Sequence, residues 1–381
     1  LSGAPPSPGR YYALDGMRGF AAITVMLLHF GLQVNIRIAA SGYLAVDFFF
    51  ALSGFVVALA YQQRLEAGLS IRRFMAIRLV RLYPLFLIGI GFGIVKAIGQ
   101  IAVHDNTALS PPVLLLSLVS SVLMLPTPTP GLVSIFPLNT PAWSLFFEML
   151  LSAAFALGLY RWKPSSIALL LFITGAFLVQ GILSRGYTGP LGSGWADFGY
   201  GFPRVLFSFL VGMSLHRLSL GRERRVTGDI HIAMIALIAL LIAHPGAGIG
   251  PGYDIFVLGL AFPALLWAGI LLEVPHEHRR FFAWLGDISY PLYILHFPLL
   301  MMWLYVAERF HIPVAVSGIC FVLGMLALST LVLRLYDEPV RRMLSITLGL
   351  PGSCRWRRPV AHEAASDSAS KARPTHKRNP H

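Results

Sequence analysis

Eleven apolar runs near 20 residues in length recur along this 381-residue chain, and they constrain its fold more than any other feature. They cover roughly 17–34, 42–61, 79–103, 111–126, 141–160, 165–184, 202–217, 229–244, 253–273, 286–306 and 312–335. A run of about 20 apolar residues in a helix matches the thickness of hydrocarbon, where only helices and closed barrels satisfy their backbone polar groups. The expected fold class is therefore all-α, a polytopic membrane helix bundle. Composition agrees: 12% of residues are charged, half the usual share of about 25% in soluble domains. The formal charge of +13 is no argument for nucleic acid, because the basic residues sit in short connections between apolar runs. The first run is interrupted by Arg18, which argues against a secretory signal.

Basic connections orient such a chain, because cytoplasmic loops hold the Lys and Arg excess. Four are clearly basic, Arg64–Arg81, Arg161 with Lys163, Arg217–Arg225, and Arg279 with Arg280, and the C-terminal tail is a fifth. All five lie on one side only if one of the three runs between Arg81 and Arg161 does not cross. The shortest, 111–126, is bounded by prolines and followed by PTPTPGLVSIFPLNTP, so it is expected to be a half-helix or re-entrant element that helps line a site. That leaves about ten crossings with both termini cytoplasmic. The expected organisation is an N-terminal segment 1–13, a membrane domain 14–345, and a basic, disordered tail 346–381 lying along anionic headgroups.

Ionisable side chains within such runs are expensive and mark functional sites by default. Arg18 and His29, eleven residues apart, share one face of the first helix and lie about 16 Å apart along it. Depth reckoning places His29 and Asp47 about 7 Å, and Glu148 about 10 Å, below the outer surface. A carboxylate at that depth would orient His29 as a general base. Arg72, Arg73, Arg78 and Arg81 gather at the foot of the third run, a pattern suited either to a phosphorylated ligand or to ordinary inner-face anchoring. His296, approached by Tyr290 and Tyr293, reads equally as a core histidine bonded to another helix or as a substrate contact. His216, His231 and His244 read as interfacial. The outer connection 185–204, rich in Gly and aromatics, suits a sugar-contacting loop or an interfacial aromatic belt. Cys320 and Cys354 form no framework, and no HExxH, CxxC, Walker, GxGxxG or GxSxG pattern occurs, so no metal or nucleotide cofactor is expected.

The stretch LDGMRGFAAITVMLLHF, an Arg and a His separated by ten residues, resembles the opening motif of the acyltransferase-3 family of membrane O-acyltransferases. In the same order follow VDFFFALSGF at 46–55, RLVRLYP at 78–84, NTPAWSLFFE at 139–148, LGDISYPLYILHFP at 285–298, and DEP at 337–339. The resemblance covers about 11–342. It implies an O-acyltransferase, in the first instance an O-acetyltransferase, of a bacterial inner membrane, moving an acyl group from cytoplasmic acyl-CoA to a hydroxyl of a cell-surface or lipid-linked carbohydrate. On that reading His29, Glu148, Asp47 and Arg18 are catalytic, Arg78, Arg81 and Arg73 hold the acyl-CoA donor, and Asn139, Trp143, Ser144, Tyr290 and His296 contact substrate. No cofactor is tightly bound. Some relatives carry a soluble esterase-type domain, so the membrane part is expected to act alone or with a separate partner. The competing class is a proton-coupled transporter or flippase, which would call for an inverted repeat that the sequence does not display.

Overall fold

The computed structural model describes residues 10–221, 229–246 and 248–350, and among them there are helices and no strands. In chain order the α-helices are α1 (Tyr12–Gln33), α2 (Ala45–Glu66), α3 (Ile71–Ala102), α4 (Pro111–Val122), α5 (Trp143–Leu157), α6 (Pro164–Arg185), α7 (Phe198–Ser219), α8 (Ile230–Ile242), α9 (Gly250–Phe256), α10 (Phe262–Leu271), α11 (Arg279–Arg309), α12 (Val314–Val332) and α13 (Glu338–Thr347). A π-helical turn, Val257–Ala261, joins α9 to α10, and another, Leu333–Asp337, joins α12 to α13. Nine of the resulting helical rods among the described residues are long and apolar enough to cross a membrane. The chain is an all-α polytopic membrane bundle.

Two helices fall short. The α4 helix has 12 residues and is about 18 Å long, well under the ~30 Å of hydrocarbon, as expected for the proline-bounded segment. Its apolar side chains Leu115 and Val119 face outward, and none of its residues lines the central cavity, so the expectation that it helps line a site does not hold. The α8 helix, expected over 229–244 as a full crossing, has 13 residues and spans about 20 Å. Asp229 caps it, accepting from the His231 backbone N–H at 2.8 Å and meeting the His231 ring at 2.6 Å. Those bonds hold the Asp229 carboxyl below its ordinary value. The segments 1–9 and 351–381, on which the tail reading rests, lie outside the described residues.

Helices α1 and α2 are central, with 72% of each most apolar window buried, whereas α6 and the α12–α13 rod are peripheral at 28%. Helix α1 packs most extensively on α11, and α2 on α7, with α6 on the far side of α7. The α2–α7 crossing is built on two glycines. A Cβ at Gly54 would stand 2.0 Å from the Phe209 carbonyl oxygen, and one at Gly212 would stand 1.7 Å from that of Ala51. Such backbone approach maximises packing where lipid offers helices no hydrophobic gain from associating.

Proline sets the other local feature that matters. Pro298 within α11 cannot donate to the Ile294 carbonyl, one turn earlier. Asn139, at the entry to α5, fills the gap by donating its side-chain N–H to that oxygen at 2.8 Å. The loop after α4 is thus pinned to the middle of α11.

Candidate active site

Five helices, α1, α2, α3, α5 and α11, surround a cavity of about 110 Å³. Its apolar wall is mainly Val46, Phe49, Phe50 and Leu145, and its polar wall includes Arg18, Arg78, Arg81, Glu148, Ser144, Tyr290 and Tyr293. Arg78 is fully buried and forms an ion pair with Glu148, which also accepts a bond from Ser53 at 3.3 Å. Three guanidiniums face one carboxylate, so the lining groups carry a formal charge of 3 − 1 = +2. Arg18 is steered inward by the Gly286 carbonyl at 2.5 Å and by Asp15 at 3.3 Å. Asp15 in turn binds Arg10 at 2.5 Å, and Arg10 reaches Asp287 on α11 at 2.6 Å.

This cluster lies deeper than the sequence reading put it. Helix α3 begins at Ile71, two turns before its apolar run, so Arg78 stands about 10 Å along the helix and level with Glu148. The polar first turns of a helix carry no hydropathy signal, which is why the run marked the start too late. Arg73 does remain at the surface, where it donates to the Gly349 carbonyl at 2.5 Å.

Neither carboxylate assigned to His29 touches it. Asp47 is sealed in a two-pronged pair with Arg204, at 2.9 Å from Nε and 2.7 Å from the terminal nitrogen. Arg204 also donates to the carbonyls of Thr188 and Leu191 at 2.9 Å each and lies over the Trp143 ring at 5.2 Å. Asp47 and Trp143 therefore hold the α6–α7 connection against α2, and neither is open to a substrate. Asn139, fully buried on the α11 carbonyl, is likewise a brace and not a contact. Arg204 was missed because it had been placed in the outer connection, yet α7 begins at Phe198 and carries it inside the bundle.

His29 pairs instead with His296, Nδ1 to Nε2 at 2.9 Å. His296 is fully buried and its Nδ1 bonds the Leu292 carbonyl at 3.1 Å, which supports the core-histidine alternative for this residue. His29 is only half-buried, with the Phe297 ring edge-on at 5.2 Å. Neither histidine lines the arginine cavity. Tyr293 stands between, its ring 6.1 Å from that of His296 and 5.6 Å from that of Phe49, its hydroxyl 2.8 Å from Ser144 Oγ. Tyr290 borders the cavity and donates to the Leu82 carbonyl at 2.5 Å. Among the described residues no group of three or more His, Cys, Asp or Glu is arranged to hold a metal ion.

A cationic cavity, the Tyr293 ring beside it and a half-buried histidine pair lie together inside one apolar helix bundle. Residues 11–334 match the acyltransferase-3 family, described as an acyltransferase domain, and the chain belongs to it: this is an integral-membrane O-acyltransferase. It is similar to Protein 2 in picA locus of Rhizobium radiobacter, 39% identical over 171 residues that make up 42% of this chain and 86% of that protein. The peptidoglycan O-acetyltransferase OatA of Listeria monocytogenes is 25% identical over 87% of this chain, which spans 56% of that protein's length. Acyltransferase MdmB of Streptomyces mycarofaciens is 26% identical over 77% of this chain and 80% of its own. No solved structure matches the chain.

Proposed function

We propose that this enzyme transfers an acyl group, acetyl in the first instance, from cytoplasmic acyl-CoA to a hydroxyl of an extracytoplasmic or lipid-linked carbohydrate in a bacterial inner membrane. The observation that carries the reading is the cationic cavity with His29 beyond its far wall. The name of one similar protein, an O-acetyltransferase of peptidoglycan, favours a hydroxyl acceptor. A cavity of about 110 Å³ is smaller than the ~300–1,000 Å³ of sites that enclose a whole drug-sized ligand, so it takes one end of an extended donor. The phosphates then meet Arg73 at the start of α3 and Arg81 further along it at the cavity, where guanidinium groups grip phosphate in bidentate fashion. The pantetheine arm runs along the cavity and the thioester passes Tyr293 toward His29. Ten crossings, with α8 as the tenth, keep both termini in the cytoplasm and the basic connections beside the donor.

In the chemical step His29 removes the proton of the acceptor hydroxyl, whose oxygen attacks the thioester carbonyl. The C–S bond breaks and the CoA thiolate takes the proton from His29. Asp47 and Glu148 take no part in orienting the base, because Arg204 and Arg78 occupy them. The direct test is release of free CoA by purified protein in nanodiscs, with and without mixed sugar acceptors. General bases contribute about 10²- to 10⁴-fold, so folded His29→Ala is expected to lose acceptor-dependent release by that factor. Wild-type turnover from a folded His29→Ala would overturn the assignment of the base. A folded wild type that neither binds acyl-CoA nor releases CoA would overturn the donor.

A further inference from the structure

From the hydrogen bonds around the histidine pair we infer that His296 is a positioning residue that fixes His29 in the tautomer bearing its lone pair on Nε2. The inference rests on His29 as the general base. A backbone carbonyl only accepts, so the bond between His296 Nδ1 and the Leu292 oxygen requires the proton on His296 Nδ1. A neutral imidazole carries one N–H, which leaves His296 Nε2 as an acceptor. The atom facing it at 2.9 Å is His29 Nδ1, which must therefore donate. The remaining nitrogen, His29 Nε2, then holds the lone pair.

That nitrogen is the usable one. His29 is half-buried, its ring bonds the backbone carbonyl of Val25 one turn back as well as His296, and Nε2 meets no side-chain partner among the described residues. His296 is fully enclosed and touches no open space, so it acts through His29 alone. Helix α11 supplies both links: the backbone carbonyl of Leu292 orients one ring, and that ring orients the next. During transfer the acceptor O–H proton moves to His29 Nε2, the new C–O bond forms and the C–S bond breaks. The thiolate then takes the same proton back, while the Nδ1 proton stays in the bond to His296. The imidazolium formed midway is stabilised because its Nδ1–H already points at an acceptor. An enzyme triad fixes its histidine with a carboxylate for the same purpose, and losing the correct tautomer there costs about 10⁴-fold in kcat.

The test compares His296→Gln, whose side-chain carbonyl can accept the His29 Nδ1 proton, with His296→Met, of similar size and without a comparable acceptor. The expected result is a fall in kcat of about 10²-fold or more for the Met variant, with the KM for acyl-CoA within about threefold of wild type, and recovery of at least a tenth of wild-type kcat by Gln. Equal activity of the two variants would overturn the inference. Nitrogen-15 spectra of the wild-type histidines give a readout free of any folding defect, with His29 assigned by the signals lost in His29→Asn. Nδ1 protonated and Nε2 unprotonated is expected, and the reverse overturns the proposal. An active His29→Ala would sink the general-base reading itself, whereas an inactive His29→Ala beside a fully active His296→Met would sink only the positioning role.

Discussion

Arg204 and Asp47 are each about 1% exposed and are bonded to one another in the interior of a membrane bundle. Removing one partner of such a pair leaves a buried charge and costs about 3–5 kcal/mol, whereas removing both is far milder. Asp47→Asn is therefore expected to lower the thermal stability of detergent-solubilised protein sharply, and Asp47→Asn with Arg204→Gln to recover part of it; fluorescence-detected size-exclusion after heating reads both. Arg73 and Arg81 behave differently if they hold donor phosphates. Charge-assisted hydrogen bonds contribute about 1.5–3 kcal/mol, so Arg73→Ala with Arg81→Ala should raise the KM for acyl-CoA by roughly 10- to 100-fold with little change in melting temperature. A melting temperature that falls while KM stays constant would make the two arginines structural. At this scale the sequence identified most of the unusual side chains and mispaired them. His29, Asp47 and Glu148 were grouped by depth, but depth carries no information about which helix faces which, and each residue found a partner on a different helix.

Element by element, the helices were legible and their ends were not. Apolar runs located every long rod, yet α3 and α11 begin seven or eight residues before the runs at 79 and 286, because polar turns at a helix foot carry no hydropathy signal. The consequence was chemical: a cluster read as a surface patch lies inside the bundle. Helix contacts rest on features that hydropathy also cannot weigh. At the α2–α7 crossing, Gly212→Leu would force side-chain atoms into the Ala51 carbonyl, so the two helices must separate. Such a variant is expected to insert but to elute as aggregate, while leucine at Gly99 in α3, where a Cβ meets open space, should elute normally. Asn139→Ala offers a gentler case. It strips the Ile294 carbonyl of its donor, a loss of about 1–3 kcal/mol, and loosens the loop before α5. Faster proteolysis within 123–139 would report it, and an unchanged cleavage rate would show that another group satisfies that oxygen.

For the whole molecule, nine rods among the described residues are long enough to cross and two, α4 and α8, are short, so the even count expected from the basic connections requires one of the short pair to cross. Single-cysteine labelling separates the alternatives. A cysteine at Gly131 should react from the same side as one at Ser110 if α4 only dips or lies on the surface, and one at Gly246 from the side opposite Gly221 if α8 completes a crossing. A cysteine at Gly131 that reacts from the side opposite Ser110 would make α4 a crossing. Family motifs spread over 11–342 named the enzyme class from the sequence, and all but DEP lie on or lead into the helices that surround one cavity. The separation of that cavity from the histidines by Tyr293 was not legible, because it depends on how α2, α5 and α11 meet.

The Asp47–Arg204 pair also sets a schedule for biogenesis. Asp47 precedes Arg204 by 157 residues. At about 5–20 residues per second of synthesis, the carboxylate emerges roughly 8–30 seconds before its counterion exists. During that interval α2 carries an unmatched acid, so it has to wait beside the insertion machinery, protonated or shielded, until α7 arrives. The first half of the enzyme is thereby committed to late assembly, and a ribosome stalled between the two helices would leave a segment that membrane quality control can recognise by its charge.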